Sequence, residues 1–335
     1  MTRRRLSERQ IERIRTIQER RRRRLEERTT DILSELDEPA APAVGWVVAR
    51  HGANLAVEDE GGRVWHCLSR QNIGDPVCGD QVCWQSAGPG QGVVTALLAR
   101  RTLLERPDQS GRARPLAANI DQLVVVLAPR PEPSTYLLDQ YLVAAERMGV
   151  AALIAGAKMD LLSDAERRLF QPRFEHYARI GYPVIWFSLR EDQSLAGLND
   201  HLRGHTSILV GQSGVGKSSL VKALLPDREI QIGRLSQATG LGRHTTSATT
   251  RYRLADNSFL VDSPGVRSFR LGAIDAGDLA RGFREFRPYL GRCRFGDCGH
   301  DQEPGCALKQ AVAAGAIHPD RLATFLALAR GAHPG

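Results

Sequence analysis

Residues 211–219 read GQSGVGKSS. Gly211, Gly216, Lys217 and Ser218 satisfy G-x-x-x-x-G-K-[ST], a loop whose glycines let backbone N–H groups converge on phosphate oxygens. The pattern needs a buried strand before it and a helix after it, because the helix N-terminus adds partial positive charge. Both are present: Thr206–Val210 reads as a short apolar strand, and SSLVKALL opens a helix. Gln212, Ser213, Gly214, Val215 and Ser219 complete the expected phosphate cradle. Lys217 is placed to bridge the β- and γ-phosphates, as a catalytic group, and the Ser218 hydroxyl to bind Mg²⁺.

This loop commits the middle of the chain to a parallel α/β sheet. LVVVLA (123–128), ALIAG (152–156), VIWFS (184–188), SILVG (207–211) and SFLVDSPG (258–265) are continuous apolar runs. Helix-like stretches separate them, as expected for strands buried on both faces. Asp262 ends the last run, where a second magnesium-side carboxylate belongs. Gly265 follows, with its N–H available to a γ-phosphate. Between the phosphate loop and Asp262, GLGRHTTSATT (240–250) is a hydroxyl-rich loop of the kind that orders around Mg²⁺. Thr246 is the first choice for that contact, with Thr245 close behind.

Base selection falls to AGAKMD (155–160). Asp160 can accept from N1–H and the 2-amino group of guanine, a donor pair that adenine lacks. The Lys158 stem can lie over the phosphate loop and base. Ser188, after the next strand, can back the base. Ala157 stands where the usual Asn-Lys-x-Asp motif has asparagine, so guanine selection survives with weaker affinity. One or two hydrogen bonds are lost, roughly 1 kcal/mol each. The order is reversed from that of an ordinary GTPase, since the base loop precedes the phosphate loop.

The flanks have other chemistries. The formal charge is +8, yet residues 1–28 alone hold twelve Arg and five Glu. Residues 1–37 lack Gly and Pro and form a charged arm, either merely solvated or folding along nucleic-acid phosphates. PAAPA (39–43) is a linker. Short alternating runs over 44–100 predict a small β-barrel of OB-fold type. Near the C-terminus Cys293, Cys298, His300 and Cys306 give C-x₄-C-x-H-x₅-C. Four such ligands fit closed, structural tetrahedral zinc, one ion per chain. Cys67, Cys78 and Cys83 are expected in barrel strands as small core residues, with His66 on the opposite face. No apolar run is long enough for a membrane span, and no secretory signal is evident.

GDQVCW, AANIDQ, GQSGVGKSSL, GLGRHTT, DSPGVRSF and YLGRCRFGDCGHDQEPGCAL together resemble the RsgA (YjeQ) family of circularly permuted GTPases, over about residues 44–310. The resemblance implies a multidomain chain. A basic arm occupies 1–40, an OB-fold β-barrel 41–112, a circularly permuted α/β P-loop GTPase domain 113–275 and a helical zinc-binding domain 276–335. It implies a cytoplasmic, monomeric GTPase that uses GTP, Mg²⁺ and Zn²⁺, binds the small (30S) ribosomal subunit and its rRNA, and assists late maturation with ribosome-stimulated hydrolysis. Val266 replaces a water-positioning glutamine, so intrinsic turnover is expected to be slow. His244 is the candidate to orient the attacking water. Ser247 replaces a frequent threonine with little effect. An RNA-binding nucleotide switch with negligible turnover is the alternative. A P-loop kinase or ATPase fits less well, because Asp160 favours guanine.

Overall fold

The computed structural model describes residues 41–52, 54–107, 113–191, 195–239, 249–263 and 274–331. The arm, His244, Thr245, Thr246, Ser247, Gly265 and Val266 lie outside them. The chain divides into two compact units, the first ending at Ala99 and the second opening at Arg100, with a stretch from Ile232 grouped with the first.

The first unit is built on β1 (Ala43–His51), β2 (Asn54–Asp59), β3 (Val64–Ser69), β4 (Gln81–Gly88) and β5 (Gln91–Leu97). Their order is β1-β2-β3-β5-β4, closed by β4 on β1. β3 and β5 run parallel and the other pairs antiparallel. That is the Greek-key barrel of an OB-fold. Period-2 alternation sends Val47, Leu55, Val57, Cys67, Val82, Trp84 and Val94 into one core. Gly92 makes room for it, since a Cβ there would lie 2.8 Å from the Trp84 ring. Burial pushes the Cys67 thiol up to about 12, and His66 faces away, bonded to Asn54 at 3.1 Å. Cys78 is also buried, but in the connection before β4 rather than in a strand as expected. Its thiol donates to the Val48 carbonyl.

The second unit opens with a hairpin of β6 (Leu103–Pro107) and β7 (Ala113–Ala118). The expected domain limit before residue 113 would separate these paired strands. A twisted sheet follows: β8 (Gln122–Leu127), β9 (Ala151–Gly156), β10 (Val184–Trp186), β11 (Thr206–Val210), β12 (Thr250–Arg253) and β13 (Phe259–Asp262). The order is β10-β9-β8-β11-β13-β12, parallel except for β12. Every residue of β8 is buried, consistent with its continuous apolar run. The polar TRYR of β12 hides a strand that the apolar pattern did not predict. Arg251 there lies 3.3 Å over the Phe259 ring.

Local signals set the helices. α1 (Thr135–Met148) starts at the Ser134 cap and stops at Gly149 in the left-handed region, φ 67°. α2 (Asp164–Phe170) carries a Ser163/Glu166 capping box. α3 (Glu175–Arg179), α4 (Ala196–Leu202), α5 (Lys217–Leu224) and α6 (Arg228–Thr239) follow. Leu235, in the part of α6 that groups with the first unit, packs on Val48, Ala49 and Ala56 within that unit.

The C-terminal helices are α7 (Ala276–Arg281), α8 (Ala307–Ala313) and α9 (Pro319–Ala329). Phe283, Phe286, Leu308, Ile317 and Phe325 form their core, and Val143 of α1 belongs to the same cluster. Arg321 on α9 bonds Asp139 on α1 at 2.6 Å and Glu285 at 2.6 and 3.1 Å. The segment thus shares packing and charge with the sheet's own helix. Among the described residues no helix is long and apolar enough to cross a membrane.

Candidate nucleotide site and metal centre

The sheet brings the reversed loops together. β8 pairs with both β9 and β11, so the loops after β9 and β11 emerge at the same, carboxyl end of parallel strands. Ligand crevices of open α/β sheets lie at that end.

The loop after β11 has the backbone that its glycines permit. Gly211 (φ 135°), Gly214 (φ 85°) and Gly216 (φ 104°) all lie where L side chains are strained. A Cβ on Gly211 would sit 2.1 Å from the Val126 carbonyl oxygen. α5 begins directly at Lys217, with Ser218 and Ser219 in its first turn. Lys217 Nζ donates to the carbonyls of Gly211 and Gln212, both at 2.6 Å. The ammonium is thereby held over the start of its own loop.

From the other side Lys158, itself left-handed at φ 59°, donates from Nζ to the Gly214 carbonyl at 2.6 Å. Its stem passes Gly216, where a Cβ would lie 3.5 Å from the Lys158 Cε. Asp160 is fixed by Ser188, whose hydroxyl donates to Oδ1 at 2.6 Å while accepting the Arg190 N–H at 3.1 Å. Ser188 is fully buried. Arg190 Nε stands 3.6 Å from Asp160 Oδ2. Ala157 is buried and its N–H is spent on the Leu127 carbonyl. Lys158, Asp160, Ser188 and the phosphate loop thus converge although 56 residues separate Lys158 from Gly214.

Asp262 ends β13, and Oδ2 accepts from Arg228 Nη2 at 2.8 Å. The register Ile208 against Val261 places Asp262 level with Leu209, at the phosphate-loop end of the sheet. Sequence reasoning missed Arg228. It also missed Tyr141 on α1, a buried residue that lines a small cavity with Gly211 and Gln212. Neither belongs to a motif; an arginine next to a helix start was the only signal. For magnesium, the Ser218 hydroxyl and the Asp262 carboxylate are hard oxygen donors of the right kind.

The Cys/His group is compact. The three Sγ atoms and His300 Nδ1 lie within 4.8 Å of one another. Cys293 and Cys306 Sγ are each 3.5 Å from His300 Nδ1. Metal bonds of about 2.3 Å to sulfur and about 2.0–2.1 Å to nitrogen, at tetrahedral angles, require about 3.6 Å between those atoms. The donor set therefore fits zinc. His300 reaches the cluster from a left-handed backbone, φ 64°, and the Ala307 N–H at the start of α8 donates to Cys293 Sγ at 3.3 Å. Burial and the neighbouring thiols push the Cys298 thiol up to about 12, so a cation is what would make it a thiolate.

The RsgA GTPase family model matches residues 97–272. A relative from Pseudomonas aeruginosa, named Small ribosomal subunit biogenesis GTPase RsgA, is 43% identical over 327 residues, covering 97% of this chain and 96% of its own. The chain belongs to the RsgA GTPase family. A relative of the same name from Hahella chejuensis is 43% identical over 332 residues, covering 97% and 95%. Among solved structures, YjeQ from Thermotoga maritima superposes with a TM-score of 0.72 at 30% identity, over 87% of this chain and 98% of that one. YloQ, described as a circularly permuted GTPase, gives 0.68 at 28% identity, over 90% and 98%. This RsgA-family chain accordingly combines an OB-fold barrel, a circularly permuted GTPase sheet and a C-terminal helical segment with a Cys₃His group. Membership brings guanine nucleotide and magnesium as the family's cofactors.

Proposed function

We propose that the chain hydrolyses GTP to GDP and phosphate when stimulated by the small ribosomal subunit, and that this activity assists the late maturation of that subunit in the cytoplasm. The observation that carries the GTP reading is the bond from Lys158 to Gly214, which supports treating a base loop and a phosphate loop in reversed order as one site. In this reading Asp160 accepts from guanine N1–H and the 2-amino group, and Ser188 and Lys158 hold the base loop. Ala157 supplies no side-chain contact, which weakens affinity without removing selectivity.

Gly211 to Ser219 take the phosphates, with Lys217 across the β- and γ-oxygens. Ser218 and Asp262, joined by Thr246, would hold Mg²⁺, which would supply positive charge against the phosphates. Gly265 meets the γ-phosphate, and His244 orients the attacking water in place of the glutamine that Val266 replaces. Cys293, Cys298, His300 and Cys306 hold one structural zinc. The barrel, the zinc segment and the Arg-rich arm contact rRNA, and the chain acts as a monomer.

Val266 favours a second reading, a nucleotide switch with negligible turnover, because valine cannot orient water. Phosphate release from GTP, with and without added small subunits and with ATP as control, separates the two. GTP-specific release stimulated by subunits supports the proposal. Tight GTP binding with no stimulated release supports the switch.

A further inference from the structure

The half-exposed pair at the end of β13 sets a cation of the chain where a divalent ion belongs. Arg228 opens α6 and reaches Asp262 at 2.8 Å, with the two side chains 20% and 34% exposed. The guanidinium also lies 5.3 Å from the centroid of the buried Tyr252 ring. That ring offers a resting place that does not depend on the carboxylate. A carboxylate half-removed from water needs a positive partner, and Arg228 is the partner present.

We infer that Arg228 competes with the divalent cation for Asp262: the guanidinium neutralises the carboxylate until a magnesium–nucleotide arrives, and must then give way. The inference rests on the reading of Asp262 as a magnesium-side group. Two cations cannot share one carboxylate at a few ångströms without strong mutual repulsion in a half-buried setting. The pair is partly buried but joined by a single hydrogen bond, so one bond is all that an arriving cation has to replace. Arg228 therefore sets how much magnesium the protein needs to retain its nucleotide. It belongs to neither the base loop nor the phosphate loop and acts through Asp262.

The test follows release of a fluorescent N-methylanthraniloyl-GDP from the full chain as magnesium is titrated from EDTA upward. Arg228→Gln should lower the magnesium concentration for half-maximal retention about tenfold, the equivalent of about 1.4 kcal/mol. Its release rate in EDTA should match wild type. Arg228→Lys keeps the charge without the planar fork and should fall between the two, which also guards against a misfolded glutamine variant. In an Asp262→Asn background, Arg228→Gln should change nothing further. An unchanged magnesium half-point in a folded Arg228→Gln protein overturns the inference while leaving the reading of Asp262 intact. Wild-type release that ignores magnesium overturns that reading, and the inference with it.

Discussion

Two clusters of charge in the same unit are built in opposite ways. Arg321, Asp139 and Glu285 are 1%, 1% and 5% exposed, with Tyr177 donating to Asp139 at 2.7 Å. Burial works against the Arg321 charge, yet Asp139 and Glu285 outweigh it and hold the guanidinium above its ordinary pKa. Arg228 and Asp262 share one hydrogen bond and are only partly buried. The first cluster ties α9 to α1 and has no way to dissociate without stranding charge. The second has little to lose. A buried, multiply bonded pair serves architecture; a singly bonded pair at a strand end can serve a ligand.

The largest effect should come from breaking the buried cluster. Arg321→Ala leaves Asp139 and Glu285 uncompensated and should cost roughly 3–5 kcal/mol. Chemical denaturation should show it as early loss of the C-terminal helices, or as failure to fold. Next, Cys298→Ala should remove bound zinc, read by metal analysis as a drop from near one per chain to near zero. GDP binding should persist, because the phosphate loop lies elsewhere. Ser188→Ala deletes a charge-assisted bond to Asp160 and should weaken GDP affinity by about 1.5–3 kcal/mol, measured by titration calorimetry. At the small end, Arg228→Gln should shift stability by less than about 1 kcal/mol. A cost as large as that of Arg321→Ala would erase the distinction between the clusters.

Acid probes the neighbourhood of the buried cluster. His176 stacks on His318 with ring centroids 4.0 Å apart, and burial with nearby cations lowers its pKa to about 4 from 6.5. The unfolded chain therefore takes up a proton before the folded one does. Its contribution to stability is full above pH 6.5 and is lost as pH falls through about 4. The melting temperature of wild type should fall relative to that of His176→Phe as pH falls through that window.

The sequence exposed the parts whose chemistry is local. The phosphate loop is legible because Gly211, Gly214 and Gly216 need positive φ and because a strand and a helix must flank it. The Cys/His group is legible because four ligands fall within fourteen residues. The barrel's alternation was legible as well, though it did not reveal that Cys78 leaves the strands. What stayed hidden depends on tertiary approach. Arg321 and Asp139 are 182 residues apart, so no spacing rule links them. Arg228 reaches Asp262 across 34 residues, and β12 carries too few apolar residues to announce itself. The reversed motif order was visible in the sequence, but only the adjacency of β9, β8 and β11 explains how reversal preserves one site.

That shared site is tested most directly by exchanging its base chemistry. Xanthine carries a carbonyl where guanine carries the 2-amino group, so an amide at position 160 can donate where the carboxylate accepted. The measurement is competitive binding of GDP and XDP to wild type and to Asp160→Asn. The account predicts strong GDP preference in wild type and a reversal toward XDP in the variant, with the phosphate loop unchanged. An unchanged GDP preference in Asp160→Asn would contradict it, and would separate the loop at 155–160 from the nucleotide bound at 211–219.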